Sequence, residues 1–207
     1  MKKLAAALAG VMVFSMAACG GAEDFDATGY VQGVLDAQYH GEYAAHAEDV
    51  GESEEDIKNE IEASNLEVAQ QALAQSGFTA TDEELQEYID LIEEGYKKIE
   101  YEVKEAVKDD NDNFTVEVEV TPVGLLDNLE EIFTAKLQEA VNNGVDESGY
   151  MAVFNESVKE SIDKAETLEP QTVTLNVTYT EDEDGNHVYA VNESDLNTLD
   201  LIATNQQ

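Results

Sequence analysis

The hydropathy period of this chain switches twice from helical to alternating, and that switch limits the fold more than any other feature. Ile99, Tyr101 and Val103 alternate with Glu100, Glu102 and Lys104. Phe114, Val116, Val118 and Val120 then alternate with Thr115, Glu117 and Glu119. A period of two places apolar residues on one face of a strand and charged residues on the other. The polar run Asp109 to Asn113 reads as the turn between these strands, and Pro122 and Gly124 end the hairpin. A second pair follows. Val173, Leu175, Val177 and Tyr179 alternate with Thr172, Thr174, Asn176 and Thr178, and Val188 to Val191 returns after the turn signal Asp184-Gly185. A lone hairpin is marginal in water. Two hairpins with one apolar face each therefore predict an α+β fold: one antiparallel sheet of about four strands with helices packed on one face.

The remaining segments carry helical spacing. Tyr30, Val31, Val34, Leu35 and Tyr39 recur from Thr28 onward, and Gly41 breaks the run. Ser53 is placed as the N-cap of a helix opening with Glu54, Glu55 and Asp56, acids that favour the positive helix end. Thr81 with Glu84 forms a capping-box pattern ahead of Leu85, Tyr88, Ile89 and Ile92. Two helices are predicted between the hairpins, one capped by Asp127 and one starting near Ser148. A closing helix is predicted from Asp195 to Ile202.

Charge excludes some functions. Ten basic residues, all lysine, stand against 47 acidic ones. Such a surface repels phosphates and offers no arginine for bidentate contacts, which argues against nucleic acid. Cations, basic proteins and basic surfaces are the partners it favours. Disorder is excluded by the periodic patterns and by a hydrophobic content of 43%.

The N-terminus reads as a secretory signal. Lys2 and Lys3 precede an apolar stretch from Leu4 to Phe14, too short to span a bilayer of about 30 Å. Met16-Ala17-Ala18-Cys19 ends it, and Cys19 is the only cysteine. This ending resembles the lipobox of bacterial lipoproteins. The resemblance implies cleavage between Ala18 and Cys19, acyl chains such as palmitate on Cys19, and attachment at the extracytoplasmic face of the cell membrane. The domains follow: signal peptide 1–18, lipidated tether 19–27, and a single ectodomain 28–207. The run Tyr30 to Tyr43, ending His-Gly-Glu-Tyr, resembles the opening of small uncharacterised Gram-positive lipoproteins. Some of these are cystatin-like or nuclear-transport-factor-two-like, which implies a curved sheet wrapped around helices.

Catalytic patterns are sparse. With Cys19 acylated no free thiol remains. His40 and His46 stand six apart, which is not the spacing of a helical zinc pair. There is no Gly-x-Ser-x-Gly elbow and no phosphate-cradling glycine loop. The expectation is a non-catalytic ectodomain that binds or scaffolds, with an unrecognised envelope hydrolase as the remoter alternative. Calcium is the one specific cofactor candidate. Asp182, Asp184, Asn186 and Glu193 match oxygen-ligand positions of a calcium loop, but His187 stands where that loop needs glycine. Tyr30, Tyr39, Tyr43, Tyr88 and Tyr96 are candidates either for a ligand cavity or for plain packing.

Overall fold

The computed structural model describes residues 25–181 and 187–206, together with the backbone of 15–17. Its strands are β1 (Ser15–Ala17), β2 (Glu100–Val103), β3 (Val107–Lys108), β4 (Phe114–Thr121), β5 (Gln171–Glu181) and β6 (His187–Val191). They form one antiparallel sheet in the order β1-β6-β5-β4-β2, and β3 also pairs with β4. The expected hairpins are both present and are joined through β4 and β5, from Phe114 opposite Val177 to Val120 opposite Gln171. The fold is α+β, with a curled sheet against helices. The turn signal Asp184-Gly185 lies outside the described residues.

Alternation decides which face is which. Val116, Val118, Val120, Val173, Leu175 and Val177 are buried, while Thr115, Glu117, Glu119, Thr172 and Thr174 are exposed. Between β3 and β4, Asp109 Oδ1 accepts from the backbone N–H groups of Asn111 (2.7 Å) and Asn113 (2.9 Å), which closes the turn.

The helices are α1 (Ala27–Leu35), α2 (Ala44–Val50), α3 (Glu54–Gln75), α4 (Asp82–Tyr96), α5 (Leu129–Asn142), α6 (Tyr150–Asp163) and α7 (Glu193–Ala203). Helix α1 continues into a π-helical turn, Asp36–His40. Ser53 Oγ accepts from Asp56 N–H at 3.1 Å, and the Thr81–Glu84 capping box is complete. Asp127 does not cap α5. Its carboxylate accepts from Asn205 Nδ2 (2.9 Å), tying the end of α7 to this loop, and Asn128 precedes α5 without a side-chain cap. Helix α7 opens at Glu193, two residues before the expected start, because Asn192 Oδ1 accepts from Ser194 N–H.

Helices α1 and α7 lie directly on the inner face of the sheet, α1 against β2 and β4 and α7 against β4 and β5. Helix α6 packs between α4 and α5. Phe154 centres that second group, edge-on to Phe133 at 5.5 Å and 4.8 Å from Phe78. The α5–α6 excursion leaves the sheet unbroken because its neck is clasped by backbone bonds. Leu168 N–H donates to Pro122 O (2.8 Å), and Gly124 N–H donates to Glu166 O (3.0 Å).

The tether read over 19–27 ends sooner than expected. Phe25 stacks on Tyr189 with ring centroids 3.9 Å apart, and Asp26 caps α1 by accepting from Gly29 N–H at 3.0 Å. An aromatic ring and a helix cap at these positions bring the chain into the fold by Phe25. Among the described residues, no helix is long and apolar enough to cross a membrane.

Leu175 stands at the centre of the sheet and is fully buried. Leu175→Ala should lower the unfolding free energy of the full chain by about 2–5 kcal/mol. Glu117→Gln on the opposite face should change it by less than about 0.5 kcal/mol. Urea denaturation measures both, and equal effects would contradict the assignment of faces.

Candidate functional site

The π-helical turn Asp36–His40 brings together polar contacts to β2 and to α7. It follows α1 directly, and Gly41 ends it at φ 68°, a left-handed conformation that glycine adopts without Cβ strain. The wider turn separates its side chains into two sets. Asp36 and His40 bond toward β2, and Gln38 and Tyr39 bond toward α7, although the Tyr39 ring also packs on Tyr101 of β2 at 5.7 Å.

On the β2 side, Asp36 Oδ1 accepts from Tyr101 Oη (2.5 Å) and from Gln32 Nε2 (2.8 Å). His40 stacks on the Tyr101 ring at 5.3 Å, and its Nε2 donates to Ile99 O (3.1 Å). This fixes the tautomer and leaves Nδ1 4.0 Å from Asp36 Oδ1. Burial, then the Asp36 hydrogen bond and charge, push the Tyr101 hydroxyl far above the usual phenol range. Asp36 and His40 keep side-chain exposures of 22% and 33%, so this half reaches solvent.

On the α7 side, Asp200 is 3% exposed and its Oδ1 accepts from Tyr39 Oη (2.5 Å) and Gln38 Nε2 (2.6 Å). No lysine pairs with it among the described residues. Burial raises its pKa from the usual carboxylate range to about 7, and its two donors offset part of that rise. Burial and the nearby Asp200 charge also push the Tyr39 hydroxyl well up. Tyr96 sits edge-on to Tyr39 at 5.7 Å, and its buried hydroxyl has no hydrogen-bond partner among the described residues.

The donors here are committed to structure. Tyr101 and Tyr39 give their protons to carboxylates, and His40 gives its Nε2 proton to a carbonyl. The turn joins α1, β2 and α7, and burial shifts Asp200 toward its protonated form relative to an exposed carboxyl. Sequence reading singled out Tyr39 and His40 but missed Asp36, Gln38 and Asp200. The signal for Asp200 was present. It occupies an inward position in the stripe Leu196, Leu199, Asp200, Ala203, where the helical period calls for an apolar residue.

The tyrosines resolve as packing. Tyr30, Tyr39, Tyr88 and Tyr96 are buried in the core and Tyr43 is half-buried against it. The outward face of α4 carries a shallow groove of about 400 Å³ lined by Glu83, Gln86, Glu87, Asp90, Leu91 and Glu94. Asn155 Nδ2 steadies one wall by donating to Glu87 Oε2 (2.9 Å) and to Glu84 O (2.8 Å). A second groove of about 260 Å³ runs along α5 past Phe133, Leu137 and Val141.

Ala18 and Cys19 lie outside the described residues. So do Asp182, Asp184 and Asn186 of the calcium candidates, while Glu193 opens the first turn of α7. Among the described residues, no group of three or more His, Cys, Asp or Glu side chains is placed to hold a metal ion.

No family model matches this chain, and no curated protein matches it in sequence. A solved structure does resemble it: a Bacillus subtilis protein, ycdA, described as a "putative lipoprotein", with a TM-score of 0.63 and 17% identity. The likeness covers 86% of this chain but 55% of the other, so this chain spans about half the length of that protein. At this identity the shared property is the fold.

Two buried groups set opposing pH dependences. His46, buried beside Tyr30, has its pKa lowered by burial from 6.5 to about 4. The unfolded chain binds that proton more tightly, so the His46 contribution is full above 6.5 and is lost as pH falls toward 4. For Asp200 the folded chain binds the proton more tightly. Its contribution is full below 3.8 and is lost as pH rises through about 7. Each slope is at most about 1.4 kcal/mol per pH unit, and the two offset one another where their windows overlap. Relative to wild type, Asp200→Asn should make stability rise more steeply with pH across that overlap. His46→Leu should make it fall more steeply. Urea unfolding across the pH range checks both, and curves parallel to wild type would refute the assignments.

Proposed function

We propose that this chain is a lipid-anchored protein of the bacterial cell envelope, held at the extracytoplasmic face through Cys19, whose acidic ectodomain binds a basic or cationic partner without catalysing a reaction. The observation that carries the anchor is the sequence Met16-Ala17-Ala18-Cys19 after a short apolar stretch and two lysines. The solved protein whose fold is similar is itself described as a "putative lipoprotein", which supports this reading. Acyl chains on one residue supply stable anchoring, since each buried CH₂ contributes about 0.8 kcal/mol. Cleavage before Cys19 would remove β1 and leave β6 as the edge of the sheet. The short span from Cys19 to Phe25 would then hold the domain close to the membrane, while its charge keeps it off anionic headgroups.

The binding half of the proposal rests on charge and shape together. The groove on α4 brings Glu83, Glu87, Asp90 and Glu94 around the apolar Leu91. A basic peptide with an apolar side chain matches that lining. Tethering raises its effective concentration at the envelope.

Two experiments test this reading. Metabolic labelling with a fatty-acid analogue in a Gram-positive host should tag the wild-type protein, and Cys19→Ser should lose the tag and leave the membrane fraction. Label retained by Cys19→Ser would refute the anchor. For the groove, changing Glu83, Glu87, Asp90 and Glu94 to the matching amides should weaken oligolysine binding at least about tenfold, a loss of roughly 1.4 kcal/mol. The same change at Glu100, Glu102, Glu117 and Glu119 removes equal charge from the outer face of the sheet and should cost much less. Equal losses would assign binding to net charge and not to the groove.

A further inference from the structure

We propose that Asp200 makes the docking of α7 proton-dependent, so that the helix is latched to the π-helical turn when this carboxyl is protonated and loosens when it ionises. The geometry carries the proposal. Asp200 is the point where α7 meets the turn, with Tyr39 Oη and Gln38 Nε2 both on Oδ1. It is a carboxyl group at a buried position in an otherwise apolar stripe. Ionising it there places a charge among groups of low polarity, and the charged form gains by moving toward water.

Among the described residues no cation pairs with that charge. From the π-helical turn come Gln38 and Tyr39, which are neutral donors. From α4 comes Tyr96, whose hydroxyl has no hydrogen-bond partner among the described residues, with Tyr88 beyond it. From β2 comes Tyr101, already bonded to Asp36 on the solvent side with His40 stacked over it. The buried inward residues of β4 and β5 are Phe114, Val116, Val118, Val120, Val173, Leu175 and Val177, all apolar, and Tyr179 continues that face of β5 half-buried. On α7 itself, Thr204 Oγ1 donates to the Asp200 backbone carbonyl, and Asp127 holds Asn205 past the helix end. The charged groups in this set, Asp36 and Asp127, are both acidic, so neither supplies a counter-charge.

The consequence is local. Loosening α7 would uncover Leu196, Leu199 and Ala203 together with the strand surface they cover, while α4, α5 and α6 keep their own packing around Phe154. A domain facing outward meets external pH directly, and only this last point rests on the envelope reading above. The test below uses no lipid, so its failure would leave the anchor standing.

Amide hydrogen exchange on the full chain, corrected for intrinsic pH dependence, reads the latch. The opening equilibrium of α7 should rise by up to about tenfold per pH unit between the exposed carboxylate range and neutrality, then level off. In Asp200→Asn it should be flat while α6 behaves as in wild type. Carbon-13 carboxyl titration of the wild-type chain gives a second readout that needs no variant, with an Asp200 midpoint near neutrality expected. Tyr39→Phe removes a donor that favours the ionised form, and should raise α7 exchange at alkaline pH more than at acidic pH. An α7 response that survives in Asp200→Asn, or tracks α6, or an Asp200 midpoint in the ordinary carboxylate range, would overturn the proposal.

Discussion

The pairing of β4 with β5 is the contact on which the other layers rest. Each hairpin alone has one apolar face and nothing to cover it, and such pairs are marginal in water. Joined from Phe114 opposite Val177 to Val120 opposite Gln171, they become a continuous sheet with a continuous valine and leucine surface. Helices α1 and α7 then have a platform to bury against. A slip of β5 by one residue against β4 would turn Val173, Leu175 and Val177 toward water and Thr172 and Thr174 inward. The period-two pattern therefore sets the register as well as the strands.

Charge distribution follows from the same constraint. With 47 acids in the chain and few lysines to pair them, the fold buries one acid, Asp200, among the described residues. Glu102 and Glu119 face each other across β2 and β4, a like-charge pair that costs stability, and Lys104 approaches Glu102 at 2.6 Å to relieve it. Exposed pairs of this kind contribute little, so the outer face is tolerated more than stabilised. The inner layers hold the structure.

How much of this was legible in the sequence depended on the range of the interaction. Strand faces, the caps at Ser53 and Thr81 and the order of elements are local, and periodicity and capping chemistry displayed them. Asp127 was misplaced because its partner, Asn205, is far away in sequence, and nothing near position 127 announces it. The start of folding was set too late for a related reason. Phe25 is a single aromatic in an acidic stretch, and its stacking on Tyr189 is a long-range contact. The π-helical turn was invisible to a search for a 3.6-residue period. Tyr39 fits either geometry, and only the partners of Asp36, Gln38 and Asp200 distinguish them.

Why an unneutralised carboxyl persists at Asp200 is a question of specificity and not of stability. A leucine in that place would extend the stripe of Leu196 and Leu199 and would bury apolar area at no cost in desolvation. It would also give the middle of α7 an apolar face with no directed contact to the turn, leaving only the ties at its ends, Asp195 with Asn176 and Asn205 with Asp127, to set its position. One acceptor met by two directed donors fixes both the rotation of α7 and its position along the sheet. It also holds Gln38 and Tyr39 to one side of the turn, which leaves Asp36 and His40 for β2. The wide turn and the buried acid are therefore one arrangement. The turn presents two donors on neighbouring residues, and the acid gives both of them a common target.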